Sequence, residues 1–309
     1  MSSSTKILPA THNLAFKFAF MGFRGSSIIW SIVKKLQHSN EGEDVFLPNG
    51  FPLTINTQDW TAKTIYEGTY ERALLKFLAT LPITDLLIDV GANIGVTLWH
   101  GMLNANLKAK YICFEPTATC QPQLMKVSGN LTQHGEVIQK SVGEFDGFSK
   151  IYGAGNSKHS GSASLVIQSG FGSEVTTEVV RLDTVLAKQK LVSRISLLKI
   201  DTEGYEPQVI RGFAETIRLK IVDRIIMEVT PGFADVNHFK LLEECLGTDY
   251  LWFYLDEFGF IKKNPRLTEI LPESASKFPS QYNLVVMSRK SLLTYKSQKN
   301  KIRINLISS

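Results

Sequence analysis

Residues 85–95 read DLLIDVGANIG, and this stretch is the most informative one for predicting the fold. Its first half is a continuous apolar run, which is typical of a strand buried on both faces of a sheet. Gly91 and Gly95 follow at once and open a helical stretch, so the segment predicts a strand, a tight turn and a helix. Ligands of open α/β sheets bind beyond the carboxyl ends of the strands. The turn is therefore the first candidate for a ligand-binding loop.

The alternation of strands and helices continues along the chain. Further strands are predicted at 110–114, 136–142, 196–200, 222–229, 250–256 and 282–287, and helices at about 118–131, 206–218 and 235–246. Between 143 and 181 the pattern changes to Gly, Ser and short alternating segments, which favour small antiparallel strands. Strands that alternate with helices at this spacing predict a parallel sheet with right-handed crossovers.

The glycine spacing in the first turn discriminates between nucleotide cofactors. The dinucleotide fingerprint is G-x-G-x-x-G, whereas this loop has G-x-x-x-G with Asn93 in the middle. The loop instead resembles motif I of the S-adenosylmethionine (SAM) methyltransferases. That resemblance places Asp89 near the aminoacyl part of SAM, and lets the backbone at Gly91, Asn93 and Gly95 close on the cofactor.

The ends of the next two strands supply further cofactor candidates. Glu115 lies about 20 residues past the loop, where a carboxylate can accept hydrogen bonds from both ribose hydroxyls. Ser141 ends the third predicted strand, at the usual place for an adenine contact, although serine is also common in turns. Four residues precede the first strand and either close over the cofactor or simply begin an amphipathic helix: Tyr66, Glu67, Tyr70 and Glu71.

The fourth strand ends in a crowded group of carboxylates. Asp201, Glu203 and Glu206 fall within six positions at the edge where ligands bind. Such crowding is costly unless the carboxylates meet a cation or a substrate hydroxyl. Each also has a structural interpretation, because Asp201 can cap the next helix and the two glutamates suit a helix N-terminus.

Taken together, these motifs resemble the FkbM family of SAM-dependent methyltransferases over about residues 65–290. The resemblance is carried by IYEGTYE at 65–71, IDVGANIG at 88–95, FEP at 114–116, VRLDTVL at 180–186 and LLKIDTEGYEPQVIRG at 197–212. It implies a Rossmann-like class I methyltransferase fold, with a mostly parallel seven-stranded sheet, helices on both faces and a small antiparallel insertion. It also implies methylation of a hydroxyl on a sugar, a glycan or a polyketide-type natural product.

The resemblance leaves the catalytic residue open. Asp201 and Glu203 match the family block and are candidates for binding the acceptor hydroxyl or a divalent metal such as Mg²⁺. Glu228 ends the fifth strand and is the second candidate metal ligand beside Asp201. His159 lies in a Gly/Ser-rich stretch and is a candidate general base, although a loop histidine is usually only solvated.

The charge distribution argues against a nucleic-acid substrate. The formal net charge is +5, but region 41–273 holds all 29 acidic residues and only 22 of the 34 basic ones, so it carries −7. A nucleic-acid enzyme usually carries its positive field on the working domain. Three scattered cysteines without a CxxC spacing make structural zinc improbable and favour a reducing compartment, which fits a cytoplasmic protein.

We expect the two ends of the chain to be appendages of a central domain. We expect an N-terminal helical or extended segment at 1–64, the methyltransferase domain at 65–290 and a basic, solvated tail at 291–309. Residues 1–40 are basic, aromatic and free of acid. Three alternatives stay open for them: a helix that packs on the domain, a peripheral membrane contact, or an organelle transit segment.

Other classes of function are less well supported. Nucleic-acid N-methylation normally uses an (Asp/Asn)-Pro-Pro-aromatic motif where this chain has Asp-Thr-Glu-Gly. The glycine spacing disfavours an NAD-dependent oxidoreductase. A non-catalytic binding or scaffold protein of the same fold stays open, although the intact set of Asp89, Gly91, Gly95 and Glu115 speaks against it. The sequence does not identify the acceptor or the oligomeric state.

Overall fold

A computed structural model of the protein describes most of the chain. The described residues are 6–22, 28–32, 41–154, 163–166, 174–189, 194–229, 236–255, 261–263 and 282–297. The strands are β1 (Lys6–Ile7), β2 (Asp44–Phe46), β3 (Pro52–Thr54), β4 (Leu86–Val90), β5 (Lys110–Phe114), β6 (His134–Ile138), β7 (Ser141–Val142), β8 (Gly147–Tyr152), β9 (Glu174–Val180), β10 (Ile195–Ile200), β11 (Arg224–Val229), β12 (Tyr250–Leu255), β13 (Ile261–Lys263) and β14 (Tyr282–Ser288). The helices are α1 (Ala10–Met21), α2 (28–32), α3 (Trp60–Tyr66), α4 (Arg72–Leu78), α5 (Val96–Met102), α6 (Gln121–Gly129), α7 (Leu182–Lys188), α8 (Glu206–Arg211), α9 (Ala214–Arg218), α10 (Val236–Leu246) and α11 (289–297).

The central sheet has the strand order β13-β12-β14-β11-β10-β4-β5-β6. The five strands from β11 to β6 are parallel, while β14 and β12 run antiparallel to their neighbours. This confirms the predicted fold class, a mostly parallel sheet of seven strands, and the short β13 extends it at one edge. The carboxyl ends of β4, β5 and β10 therefore meet at one edge of the sheet.

Two hydrophobic clusters cover the two faces of this sheet. In β4, Ile88 and Val90 belong to one cluster and Leu87, between them, belongs to the other. The run LLIDV at 86–90 is apolar except for Asp89, and this arrangement explains it, because successive side chains of a strand point to opposite faces and both faces are buried. Side chains of α4, α5 and α6 join the Leu87 cluster, and those of α7 to α10 join the other.

The small antiparallel insertion differs from the prediction in one respect. The expected strand at 136–142 is two strands: β6 pairs in the main sheet, whereas Ser141 and Val142 form β7 beside β9 in a separate three-stranded sheet. A tight turn separates them, in which the Lys140 amide donates to the Ile138 carbonyl.

The predicted helix at 206–218 is interrupted at Gly212, between α8 and α9. A Cβ atom at this position would lie 1.8 Å from the Gly143 carbonyl oxygen. The close approach of the small sheet therefore requires glycine at the break.

The N-terminal residues share their core with the main sheet. Helix α1 buries His12, Ala15, Phe16 and Ala19, and the Phe16 cluster also contains Leu87 of β4. For the described residues, the structure thus matches the alternative of a helix that packs on the domain. The boundary at residue 64 stays a prediction. No helix among the described residues is long and apolar enough to span a bilayer.

The C-terminal segment corrects the expectation of a solvated tail that starts at 291. Residues 289–297 form α11, and its Leu292 and Tyr295 side chains are buried in the Leu87 cluster. The Tyr295 ring packs edge-on against Phe77, with 5.6 Å between centroids. Apolar residues three apart share one face of a helix, and this pairing holds α11 on the domain.

Candidate active site

A cavity of about 800 Å³ opens at the carboxyl ends of β4, β5 and β10. This volume includes space that is open to solvent, as in a cleft at the protein surface. Its lining includes six of the predicted site residues: Gly91, Asn93, Glu115, Ser141, Asp201 and Glu203. The fold therefore brings together residues that lie up to about 110 positions apart in the sequence.

The loop after β4 is held tightly against the end of β10. Gly91 has φ +76°, and a Cβ atom there would lie 1.8 Å from the Asp201 carbonyl oxygen. The Asp201 amide in turn donates to the Val90 carbonyl at 3.0 Å. Only glycine fits this close approach, so the conspicuous glycine of the motif joins the candidate cofactor loop to the candidate catalytic turn.

Glu115 lines the cavity and also fixes the loop. Its Oε2 accepts from the Asn93 amide and its Oε1 from the Thr117 amide, both at 2.8 Å. Burial raises the pKa of Glu115, and these hydrogen bonds oppose that shift. Each carboxylate oxygen has two acceptor sites, so both can accept a further hydrogen bond from a ligand hydroxyl.

The other predicted cofactor residues lie at different depths. Ser141 lines the cavity from the small sheet rather than from the end of a main-sheet strand. Gly95 lies behind the loop, where it faces Leu124 of α6. Asp89 is fully buried beneath the cavity and is absent from its lining. Its carboxylate lies 4.0 Å from the ammonium of Lys199, a buried cation that does line the cavity.

Lys199 is the charged residue at the floor of the cavity. It lies on β10 beside Asp89 of β4, and its Nζ donates to Asp201 Oδ2 at 2.8 Å. Burial alone would lower the pKa of Lys199, but the Asp201 and Asp89 carboxylates outweigh it and raise the pKa above its usual value. The lysine therefore stays cationic and gives Asp201 a fixed partner.

Glu203 and Glu228 complete a carboxylate cluster with Asp201. One ligand oxygen from each of the three lies within 4.8 Å of the others. Burial, reinforced by the Asp201 charge, raises the pKa of Glu203 to about 8 and that of Glu228 to about 10. Glu71 lies beside this cluster, and its pKa is raised first by burial and then by the Asp201 charge. Its Oε2 accepts a hydrogen bond from the side-chain amide of Asn283 at 3.3 Å.

Three further residues line the cavity, and two of them, Thr61 and Lys199, were not predicted from the sequence. Tyr70 lines the cavity. The pKa of its hydroxyl is raised mainly by burial, and the negative charges of Glu71 and Asp201 raise it further. Thr61 of α3 lines the same wall. Lys199 did carry a signal, because a lysine inside an otherwise apolar strand is rarely buried without a charged partner. Tyr70 belongs to the same lead-in as Glu71, which the sequence predicts either to close over the cofactor or to begin an amphipathic helix.

Two candidates have other outcomes. Glu206 serves the turn itself, since its Oε1 accepts from the Thr202 and Gly204 amides at 2.7 and 3.2 Å. His159 lies outside the described residues, so its role as a base stays a prediction. Ser164 lies on the wall next to that stretch, and its hydroxyl donates to the Glu203 carbonyl at 2.8 Å.

Comparisons with known proteins place this geometry in context. A family model described as methyltransferase FkbM domain matches residues 89–261, which is more than half of the chain. No curated protein matches the chain.

Solved structures with a similar fold include an FkbM methyltransferase from Methylobacillus flagellatus KT, with 14% identity, a TM-score of 0.40, and coverage of 85% of this chain and 60% of that one. An rRNA methylase from Streptococcus thermophilus has 10% identity, a TM-score of 0.36, and coverage of 69% and 93%. A precorrin-6y C5,15-methyltransferase from Geobacter metallireducens has 8% identity, a TM-score of 0.36, and coverage of 70% and 88%. The chain thus spans three fifths of the Methylobacillus protein.

Proposed function

Because the chain belongs to the FkbM methyltransferase family, we propose that it transfers a methyl group from SAM to a hydroxyl of a sugar, a glycan or a natural product. The observation that carries the proposal is the cavity that loop residues 91–94 line together with Glu115, Asp201 and Glu203. The glycine loop and the Glu115 carboxylate suit a nucleoside, and the Asp201 and Glu203 carboxylates suit a hydroxyl acceptor.

The residues of the cavity divide into two roles. SAM supplies an electrophilic methyl group on a sulfonium. The Gly91 loop and Glu115 hold the nucleoside, and positioning of two reactants in line can account for about 7–11 kcal/mol of the barrier in favourable cases. Asp201 accepts the proton of the acceptor hydroxyl, and Lys199 holds that carboxylate in place through the 2.8 Å ion pair.

Binding of S-adenosylhomocysteine, measured by calorimetry, tests the nucleoside half of the site. We expect micromolar affinity, and a loss of about tenfold or more in Glu115→Gln, because the neutral amide accepts ribose hydrogen bonds more weakly. Glu174→Gln, on an exposed strand of the small sheet, is the matched control and should bind as the parent does. A folded protein that does not bind would favour the scaffold alternative.

Mass spectrometry of cellular glycans and RNA tests the acceptor half. Cells that lack the chain should lose one methyl group from a glycan or glycolipid hydroxyl, and Asp201→Asn should not restore it although the variant still binds S-adenosylhomocysteine. Loss of a base of this kind usually costs about 10²–10⁴-fold in rate. Loss of an RNA methylation with unchanged glycans would replace the hydroxyl-acceptor proposal by a nucleic-acid one.

We also propose that Asp201, Glu203 and Glu228 can hold a divalent cation such as Mg²⁺. Three carboxylate oxygens within 4.8 Å of one another are hard ligands of the kind Mg²⁺ prefers. Such an ion would orient the acceptor oxygen and favour its deprotonation. Thermal unfolding provides a readout without the acceptor: added Mg²⁺ should raise the melting temperature of the parent but not of Glu228→Gln. An equal response of both proteins would remove the metal from the proposal.

A further inference from the structure

The outward faces of the two N-terminal helices expose four large apolar side chains, interspersed with Thr11, Lys17 and Ser31. On α1, Leu14 and Met21 are 55% and 63% exposed, and on α2, Ile28 and Ile32 are 67% and 54% exposed. Positions 14 and 21 lie on one side of a helix, because seven residues make almost two turns, and so do positions 28 and 32. A surface helix ordinarily presents polar side chains to solvent.

The opposite faces of the same helices are already packed. His12 and Phe16 of α1 and Trp30 of α2 are buried, and the His12 and Trp30 rings lie 5.0 Å apart. Both rings also contact Tyr66 of α3. The two helices therefore pack against the same part of the domain, and their exposed side chains belong to one region of its surface. Packing against the domain accounts for the inner faces only.

Among the described residues, three basic side chains lie on or beside these outer faces. Lys17 is exposed on α1 between Leu14 and Met21. At the end of α1, the Lys76 ammonium lies 3.4 Å from the Met21 carbonyl, and Arg72 donates to the Ala19 carbonyl at 2.8 Å. A partner for this surface must be apolar within and anionic at its rim.

We propose that the outer faces of α1 and α2 dock on an anionic lipid surface. Leucine, isoleucine and methionine side chains insert between headgroups and acyl chains, while lysines contact the anionic headgroups. Docking through this end of the molecule leaves α3 and α4 between the membrane and the cavity. The proposal is independent of the methyl-acceptor assignment, because it involves none of the residues that line the cavity.

Co-sedimentation of the full-length chain with vesicles tests this docking. The probe is vesicles of equal parts phosphatidylcholine and phosphatidylglycerol, compared with vesicles of phosphatidylcholine alone. We expect binding to the anionic vesicles that falls as salt is added, because screening weakens the lysine contacts. No binding, or equal binding to the two kinds of vesicle, would overturn the proposal.

Two sets of variants locate the surface. Leu14→Gln, Met21→Gln, Ile28→Gln and Ile32→Gln combined should lower the partition coefficient by about tenfold or more, since each change removes apolar side chain from the bilayer. Leu107→Gln combined with Leu219→Gln changes leucines that are 75% and 69% exposed elsewhere, and it should partition as the parent does. Equal partition of the parent and the quadruple variant would overturn the assignment. A dimer of the parent in solution that only the quadruple variant abolishes would also overturn it, because these faces would then bind a second copy of the chain.

Discussion

At the scale of single residues, unusual backbone conformation concentrates at the cavity. Among the described residues, four non-glycine residues have positive φ, and Glu71, Asn93 and Glu203 are three of them. Asn93 and Glu203 line the cavity, and Glu71 lies beside the carboxylate cluster. Conformations of this kind cost about 1–3 kcal/mol each and persist where the surroundings enforce them. The candidate site is therefore held by its neighbours and not by local preference.

Gly91→Ala should disrupt both stability and ligand binding. The added Cβ would lie 1.8 Å from the Asp201 carbonyl oxygen at a φ of +76°, so the loop and the catalytic turn must separate. We expect a loss of about 2 kcal/mol or more in the free energy of unfolding, measured with urea, and no detectable binding of S-adenosylhomocysteine.

The matched control for this change is Gly129→Ala. A Cβ atom at Gly129 would meet no heavy atom within 4 Å. Its effect on unfolding should stay within about 1 kcal/mol, and ligand binding should be unchanged. Equal stability of the two alanine variants would contradict the close approach at Gly91.

His100 should make the protein less stable at mildly acidic pH. Its Nδ1 donates to the Val96 carbonyl, and its Nε2 accepts from the side-chain Nδ2 of Asn49. The Asn49 side chain is itself oriented, because its Oδ1 accepts from the backbone amide of Phe51. Burial lowers the pKa of His100 from 6.5 to about 4. The unfolded chain then binds the proton first, so stability falls as pH drops from about 6.5 towards 4, by about 2 kcal/mol at pH 5.

Urea unfolding at pH 7 and pH 5 measures this difference. His100→Gln should show a smaller loss between the two pH values than the parent. His134→Gln, at an exposed position on β6, should lose as much as the parent. An unchanged loss in His100→Gln would mean that the ring accepts the proton in the folded state.

At the scale of elements, β10 assembles the site. The strand is buried along its whole length and lies between β4 and β11. Its register places Lys199 beside Asp89 of β4, and its end brings Asp201 next to the Glu228 end of β11. A charged pair on a central strand is costly unless both partners are fixed, and the parallel register fixes them.

Asp183 should stabilise α9, the second helix after β10. Its Oδ1 accepts from the Thr216 amide at 2.9 Å and from the Thr216 hydroxyl at 2.6 Å, and its Oδ2 accepts from the Glu215 amide. Asp183→Ala removes these acceptors from the first turn of α9 and should cost about 2 kcal/mol in the free energy of unfolding.

Asp249→Ala provides the comparison for Asp183. Asp249 makes an exposed ion pair with Lys220, and its loss should leave the free energy of unfolding almost unchanged, because solvent screens such pairs. Both values follow from chemical denaturation monitored by circular dichroism. A small effect at Asp183 would mean that α9 is held by packing alone.

At the scale of the whole molecule, one hydrophobic cluster joins the N-terminal helices, one face of the sheet and α11. Phe16→Ala should therefore lower the free energy of unfolding of the whole domain, by about 3 kcal/mol. Hydrogen exchange should accelerate in β4 as well as in α1. Phe148→Ala, which changes a side chain that is 74% exposed, should alter neither. Faster exchange confined to α1 would instead indicate that residues 1–64 form a separate appendage, as the predicted boundary implies.

Features that depend on residues close together in the chain could be predicted from the sequence. The 85–95 segment predicted the strand, turn and helix, the alternation of elements predicted the sheet, and the 197–212 block pointed to the FkbM family. Gly91, Asn93, Glu115 and Asp201 were found in this way because each follows a buried strand, and the carboxyl ends of parallel strands meet at one edge.

Contacts between residues far apart in the sequence emerged only from the three-dimensional fold. The pairing of Lys199 with Asp89 depends on the register of two strands, and the approach of Glu71 and Glu228 to Asp201 depends on the order of the sheet. The place of Ser141 in a second sheet and the packing of α11 likewise depend on contacts between remote segments. Local patterns carry periodicity and turn chemistry but not strand order or register, so the charges that surround the reacting groups emerged only from the fold.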